Sequence, residues 1–227
     1  FFVWKDKSLS IYLKDSEFKT YLGLLLSVVI VSGLALMASS SENLKEVSFS
    51  QMFFQVVSIG TTTGYTSSGY GIWPIFIPFL LLLLSFVGGS VGSTGGGLKV
   101  ARCLILFKQG LREAKRLVHP SAEIVVKINQ KGVDQRILDS VWGFISAYIG
   151  ILVVFTLVML ACGLNELTAF SAVAASLNNL GPGLGLVSEN YSEVNSFAKG
   201  VLAFSMLLGR LEIFTLLIIL TPLFWAK

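Results

Sequence analysis

Long uncharged, mostly apolar runs dominate the chain, and their lengths decide how often it crosses a bilayer. Residues 20–41, 140–165 and 167–188 hold no Asp, Glu, Lys or Arg over 22, 26 and 22 positions, and residues 47–98 hold none over 52. Residues 200–226 carry only Arg210 and Glu212. A hydrocarbon core about 30 Å thick needs about 20 helical residues to cross, so 20–41 and 140–165 each predict one span. The 52-residue run is too long for one span and shorter than the roughly 60 residues that three would need. Gly60, Gly64, Gly69, Gly71, Pro74 and Pro78 break its centre, and Gly88, Gly89, Gly92, Gly95, Gly96 and Gly97 break its end. The pattern predicts a short helix over 47–59 that enters partway, a return over 61–70, and a span from Trp73 onward. The last part repeats this order. A rise over 137–163 is followed by a short helix over 167–179, a turn at Gly181-Pro182-Gly183-Leu184-Gly185 and a descent over 196–225. A third full span over 167–188 is the rival reading, but Asn178, Asn179 and a central Gly-Pro-Gly do not suit a lipid-facing helix.

Composition removes the soluble alternative: 54% of the 227 residues are hydrophobic and 13% are charged, far from the usage of an ordinary soluble domain. The expected class is therefore an all-α membrane protein. Charge then orients it, because cytoplasmic loops carry an excess of Lys and Arg. Residues 99–139 contain nine basic and four acidic residues, so that linker is expected in the cytoplasm. The opposite turns carry Glu42, Glu46, Glu166, Glu189 and Glu193 against Lys45 and Lys199. Cys103 and Cys162 fall on opposite sides of the membrane and cannot pair, and one histidine, His119, cannot build a histidine-rich metal centre. The chain opens at Phe1 without a basic n-region or small-residue cleavage site, so it reads as a segment of something longer.

The recurrence of order points to an internal repeat. Aligning Ser58-Ile59-Gly60-Thr61-Thr62-Thr63-Gly64-Tyr65 with Ala175-Ser176-Leu177-Asn178-Asn179-Leu180-Gly181-Pro182 puts Gly64 opposite Gly181, 117 residues apart in the numbering. Non-helical backbone at membrane depth is tolerated where it lines water or is packed in protein. A Thr/Asn-rich strand with glycine can turn successive carbonyl oxygens toward an axis and replace a cation's hydration shell. A short helix entering from outside points its partially negative carboxyl end at the midplane. Glycine-bearing helix connections with no ion pathway are the plainer reading of either motif alone.

Three segments carry a family resemblance: Thr61-Thr62-Thr63-Gly64-Tyr65, Gly88-Gly89-Ser90-Val91-Gly92-Ser93-Thr94-Gly95-Gly96-Gly97-Leu98-Lys99-Val100-Ala101-Arg102, and Leu207-Leu208-Gly209-Arg210-Leu211-Glu212. They strongly resemble the Trk/Ktr/HKT superfamily of potassium transporters, and within it the bacterial membrane subunit. That resemblance implies a channel-like fold of four membrane-pore-membrane repeats, of which this chain looks like the third and fourth. It implies a tail and cytoplasmic lead-in over 1–17, a third repeat over 18–119, a cytoplasmic linker over 120–136 and a fourth repeat over 137–227. It also implies a selectivity filter at Thr61, Thr62, Thr63, Gly64, Asn178, Asn179, Leu180 and Gly181, with K+ held by the backbone carbonyls of Thr62, Thr63, Asn179 and Leu180. K+ would be the transported ion, and no organic cofactor is implied.

A gate is expected below the filter. Glycines cost about 1 kcal/mol each in a helix, so Gly88, Gly89, Gly92, Gly95, Gly96 and Gly97 should interrupt the pore-lining helix, and the resemblance makes that intramembrane loop the gate. A phosphate loop is the competing reading, but Gly97-Leu98-Lys99-Val100 lacks the Gly-Lys-Ser/Thr pattern. Arg210 lies near mid-membrane, where a charge must face water or a partner. It is expected to face the cavity as an electrostatic barrier, with Glu212 as a buried structural partner. The resemblance further implies a multi-pass protein of the bacterial inner membrane, the remaining two repeats in the same parent chain, a homodimer, and a cytosolic nucleotide-binding regulatory ring of the TrkA kind. The basic linker could instead bind anionic membrane lipid. No nucleic-acid partner and no enzyme chemistry are expected. A coupled secondary transporter with broken helices for a small organic solute remains the other functional reading.

Overall fold

The computed structural model describes residues 15–39, 47–67, 69–90, 92–93, 95–120, 122, 124–129 and 131–225. The expected tail up to Leu13, the outer charges Glu42, Lys45 and Glu46, and Val91 and Thr94 of the glycine-rich segment lie outside the described residues.

Helix α1 (Ser16–Ala38) starts where the Asp15 carboxylate accepts the Glu17 N–H, and α5 (Gln135–Ala161) starts where Asp134 accepts from Arg136. These caps satisfy donors that the first helical turn leaves open. Both helices are long and apolar enough to cross a membrane, the two that are so among the described residues. Each is followed by a helix of 12 residues, α2 (Phe49–Gly60) and α6 (Glu166–Leu177), so the two short helices begin and end at positions 117 apart. Twelve residues rise about 18 Å, enough to reach only mid-membrane. Ser48 and Gln51 form a capping box at the start of α2, and the Asn165 side chain accepts the Thr168 N–H at the start of α6.

The second span of each unit comes in two pieces. In the first, α3 (Phe76–Val87) stops at Gly88 and α4 (Val100–Val118) resumes after Lys99. In the second, α7 (Ser196–Arg210) stops at Leu211, α8 (Ile213–Leu220) resumes after Glu212, and the short α9 (Pro222–Trp225) follows. The expected descent over 196–225 is thus interrupted. Lys99 and Glu212, the residues before the resumed helices, both have positive φ, 63° and 58°. A hairpin of two-residue strands, β1 (Lys127–Ile128) with β2 (Lys131–Gly132), lies in the linker and is the one sheet among the described residues.

Two apolar cores hold the units together. One gathers α5, α6, α7 and the start of α8, and the other gathers α1, α2 and α3 with Leu180 and Leu184. Helix α6 serves both, with Ala172, Val173 and Leu177 in the first and Ala174 and Ala175 in the second. The small residues let neighbouring backbones close in on it, the usual device for packing helices in a bilayer. The architecture is two tandem units of helix, re-entrant segment and helix.

Candidate pore site

Both short helices end in the same way. The N–H of Thr62 donates to Ile59 O at 3.0 Å and that of Thr63 to Ser58 O at 2.8 Å, while Asn179 donates to Ser176 O at 3.1 Å and Leu180 to Ala175 O at 2.8 Å. This is the Schellman pattern, which requires a left-handed residue just beyond the helix. Thr62 and Asn179 supply it at φ 54° and 52°. Two residues later Gly64 and Gly181 are again left-handed, at 81° and 100°. Alternating backbone handedness turns neighbouring carbonyls in a way that a helix or strand does not. The two strands also lie close together: a Cβ on Gly64 would overlap the carbonyl oxygen of Leu180.

Side chains brace these strands from behind. Ser58 Oγ donates to Tyr65 O at 2.6 Å in the first strand. In the second, Tyr191 donates to Gly181 O at 2.8 Å and Tyr70, from the first unit, donates to Gly183 O at 2.9 Å. Tyr191 lies in the loop outside the spanning helices, where burial pushes its phenol up to about 12, so it stays a donor throughout the physiological range. Asn178 is fully buried and bonded through its side chain to Tyr148 and Ser85. Sequence reasoning missed these tyrosines. The available signal was that a phenol in an apolar setting must find an acceptor.

The glycine-rich segment lies directly against both strand bases. A Cβ on Gly96 would overlap the Asn178 carbonyl, and one on Gly95 would come within 2.6 Å of Thr62 Oγ1. Lys99 folds back over the segment, its ammonium donating to Ser93 O and, at 2.9 Å, to Gly95 O. From the other unit, a Cβ on Gly209 would overlap Leu177 O. A cavity of about 260 Å³ opens here, walled by Gly95, Lys99, Arg102, Gly209, Arg210 and Glu212 among others. Arg210, expected to face a cavity, is on this wall. Glu212 corrects an expectation: it is a partner, but of Arg102 at 2.9 Å, and its side chain is 53% exposed rather than buried. The helix break at 211–212 places it outside the regular helix packing. Arg102 also rests on the Phe144 ring, 4.1 Å from its centroid, a cation–π contact. Cys103 and Cys162 are both free thiols.

The sequence profile of TrkH, a cation transport protein family, matches residues 6–224. The chain belongs to the TrkH family. It is 47% identical over 227 residues to the Trk system potassium uptake protein TrkH of Escherichia coli strain K12, covering 100% of this chain and 47% of that protein. Against the TrkH of Vibrio parahaemolyticus it is 53% identical over 216 residues, covering 95% of this chain and 44% of that one. The crystal structure of the potassium transporter TrkH from Vibrio parahaemolyticus superposes with a TM-score of 0.86 at 51% identity, covering 96% of this chain and 47% of that chain. The chain spans about half the length of the curated relatives it matches. Membership in the TrkH family accords with the two membrane-pore-membrane units described above.

Proposed function

We propose that this chain contributes two of the repeats surrounding a potassium pathway in a bacterial inner membrane. Thr61, Thr62, Thr63 and Gly64 form one filter strand, and Asn178, Asn179, Leu180 and Gly181 form another. The carbonyls of Thr62, Thr63, Asn179 and Leu180 coordinate K+ in place of water. The observation that carries this reading is the repeated backbone: left-handed residues at 62 and 64 and again at 179 and 181, each pair just beyond a short helix. The carboxyl ends of those helices add partial negative charge where the cation rests.

Gly88, Gly89, Gly92, Gly95, Gly96 and Gly97 form the gate beneath the filter, and Arg210 sets an electrostatic barrier beside it. The contacts of Gly95 and Gly96 with the strand bases support that role. Two further repeats complete the pore, a second copy of the subunit pairs with it, and a cytosolic nucleotide-binding ring acts on the basic linker face.

The reading is tested by ⁸⁶Rb+ uptake into liposomes holding the full-length protein, with Na+ as competitor, in wild type and Gly64→Ser. Uptake that Na+ inhibits weakly in wild type and more strongly in the variant is expected. Absence of cation uptake in both folded proteins, with the regulatory partner supplied, would transfer the assignment to solute transport.

A further inference from the structure

Asn178 is 0% exposed, and its side-chain amide stands in the middle of a one-way chain of hydrogen bonds. Tyr148 OH donates to Asn178 Oδ1 at 2.6 Å, Asn178 Nδ2 donates to Ser85 Oγ at 2.8 Å, and Ser85 Oγ donates to Leu82 O at 2.6 Å. An amide suits this place because it accepts on one side and donates on the other. A carboxylate would present acceptors to both neighbours and bury a charge. Tyr148 comes from α5, the first span of the second unit, and Ser85 from α3, the second span of the first. The chain therefore passes from one repeat to the other through the residue at the base of the second strand.

The front of Asn178 is fixed as well, because its carbonyl oxygen lies against Gly96 with no room for a Cβ between. The matching position of the first strand is different. Thr61 is exposed, and its hydroxyl bonds to Val57 O at 2.8 Å and to Thr63 Oγ1 at 2.8 Å, within its own segment. The relay thus belongs to the second strand.

We infer that Tyr148, Asn178 and Ser85 are positioning residues that hold the second strand at its potassium width and thereby set discrimination against Na+. The inference rests on the filter reading above. A carbonyl cage favours the larger ion only while it resists closing on the smaller one, and a strand anchored sideways to two different helices resists that movement. Removing either hydroxyl leaves one end of a buried amide without its partner and releases the strand base.

The test uses the full-length protein in liposomes and reads the Na+ concentration that halves ⁸⁶Rb+ uptake. Tyr148→Phe deletes the donor and keeps the ring packing on Phe86 and Phe144, whose centroids lie 6.0 and 6.3 Å away. Ser85→Ala deletes the acceptor at the other end, and Gly181→Ser serves as the filter reference. Each hydroxyl variant is expected to lower the half-inhibiting Na+ concentration about fivefold, the weight of one buried hydrogen bond. Uptake without Na+ should stay within about twofold, and the double variant should shift competition little beyond the larger single shift, because both bonds act through one amide. Unchanged Na+ competition in both hydroxyl variants, with a clear shift in Gly181→Ser, overturns the relay and leaves the filter standing. Unchanged competition in all three removes the filter reading and the relay together. Loss of uptake in step with thermal stability, at constant Na+ competition, assigns the relay to folding alone and overturns the inference.

Discussion

Thr62 holds a φ of 54°, a value that β-branched residues rarely adopt. Strain of this kind costs on the order of 1–3 kcal/mol and persists where surrounding contacts enforce it. Here the enforcement is the pair of Schellman bonds from Thr62 and Thr63 back to α2. Two residues on, Gly64 combines positive φ with the Leu180 carbonyl at the place a side chain would occupy. Gly209, with ordinary backbone, is confined by the Leu177 carbonyl and the Asn179 side-chain amide. A graded outcome follows in thermal unfolding of the detergent-solubilised protein. Gly209→Ala should destabilise by about 1–3 kcal/mol, as overpacking does. Gly64→Ala should cost more, because left-handed strain of about 1 kcal/mol adds to the overlap. Equal melting temperatures for wild type and Gly209→Ala would contradict the close approach of α7 to the end of α6.

Among the elements, the two interrupted spans repay comparison. The glycine run at 88–97 announced its break, since six glycines are incompatible with a stable helix interior. The break at 211–212 was hidden, because a single glycine, Gly209, stands near it and no proline follows until Pro222. There the positive φ falls on Glu212 itself, whose side chain pairs with Arg102 at 2.9 Å. The hairpin was also missed; Asn129, at φ 47° in its turn, is the residue type that tolerates such a conformation. The limits of α2 and α6, by contrast, could be read closely from where apolar runs met Thr, Asn and Gly. The Tyr148–Asn178–Ser85 relay was illegible for another reason: its members lie 30 and 93 positions apart, and no local pattern joins them.

The cavity between the breaks has Lys99, Arg102 and Arg210 against Glu212 among its described walls. Removing a positive charge should raise cation flux and removing the negative one should lower it. Arg210→Ala is expected to increase ⁸⁶Rb+ uptake, and Glu212→Gln to decrease it. The melting temperature should move little in Glu212→Gln, because a half-exposed ion pair is worth about 0–1 kcal/mol. Flux that is unchanged in folded Arg210→Ala protein would remove the barrier from the mechanism.

At the scale of the whole chain the two units are unequally enclosed. Helix α6 is buried almost throughout, whereas α2 leaves Phe49 at 70%, Phe53 at 45% and Phe54 at 45% exposed. The difference follows from position: α6 packs in both cores, and α2 in the second alone. A pore built around these strands therefore needs further walls on the α2 side. This chain expressed alone and reconstituted is expected to give no ⁸⁶Rb+ uptake, with uptake appearing when it is joined to the preceding repeats. Selective uptake by the isolated chain would contradict the proposed four-repeat pore.

The small hairpin has a mechanical meaning. Asn129 at its tip accepts the Ser16 N–H at 2.8 Å and donates to Asp15 at 2.9 Å, while Lys108 of α4 donates to Lys127 O at 2.7 Å. One tie therefore runs to the foot of α1 and the other to the shaft of α4, whose upper end carries Lys99 and the glycine-rich segment. The hairpin is thus a cross-brace that couples the start of α1 to α4 through three side-chain bonds.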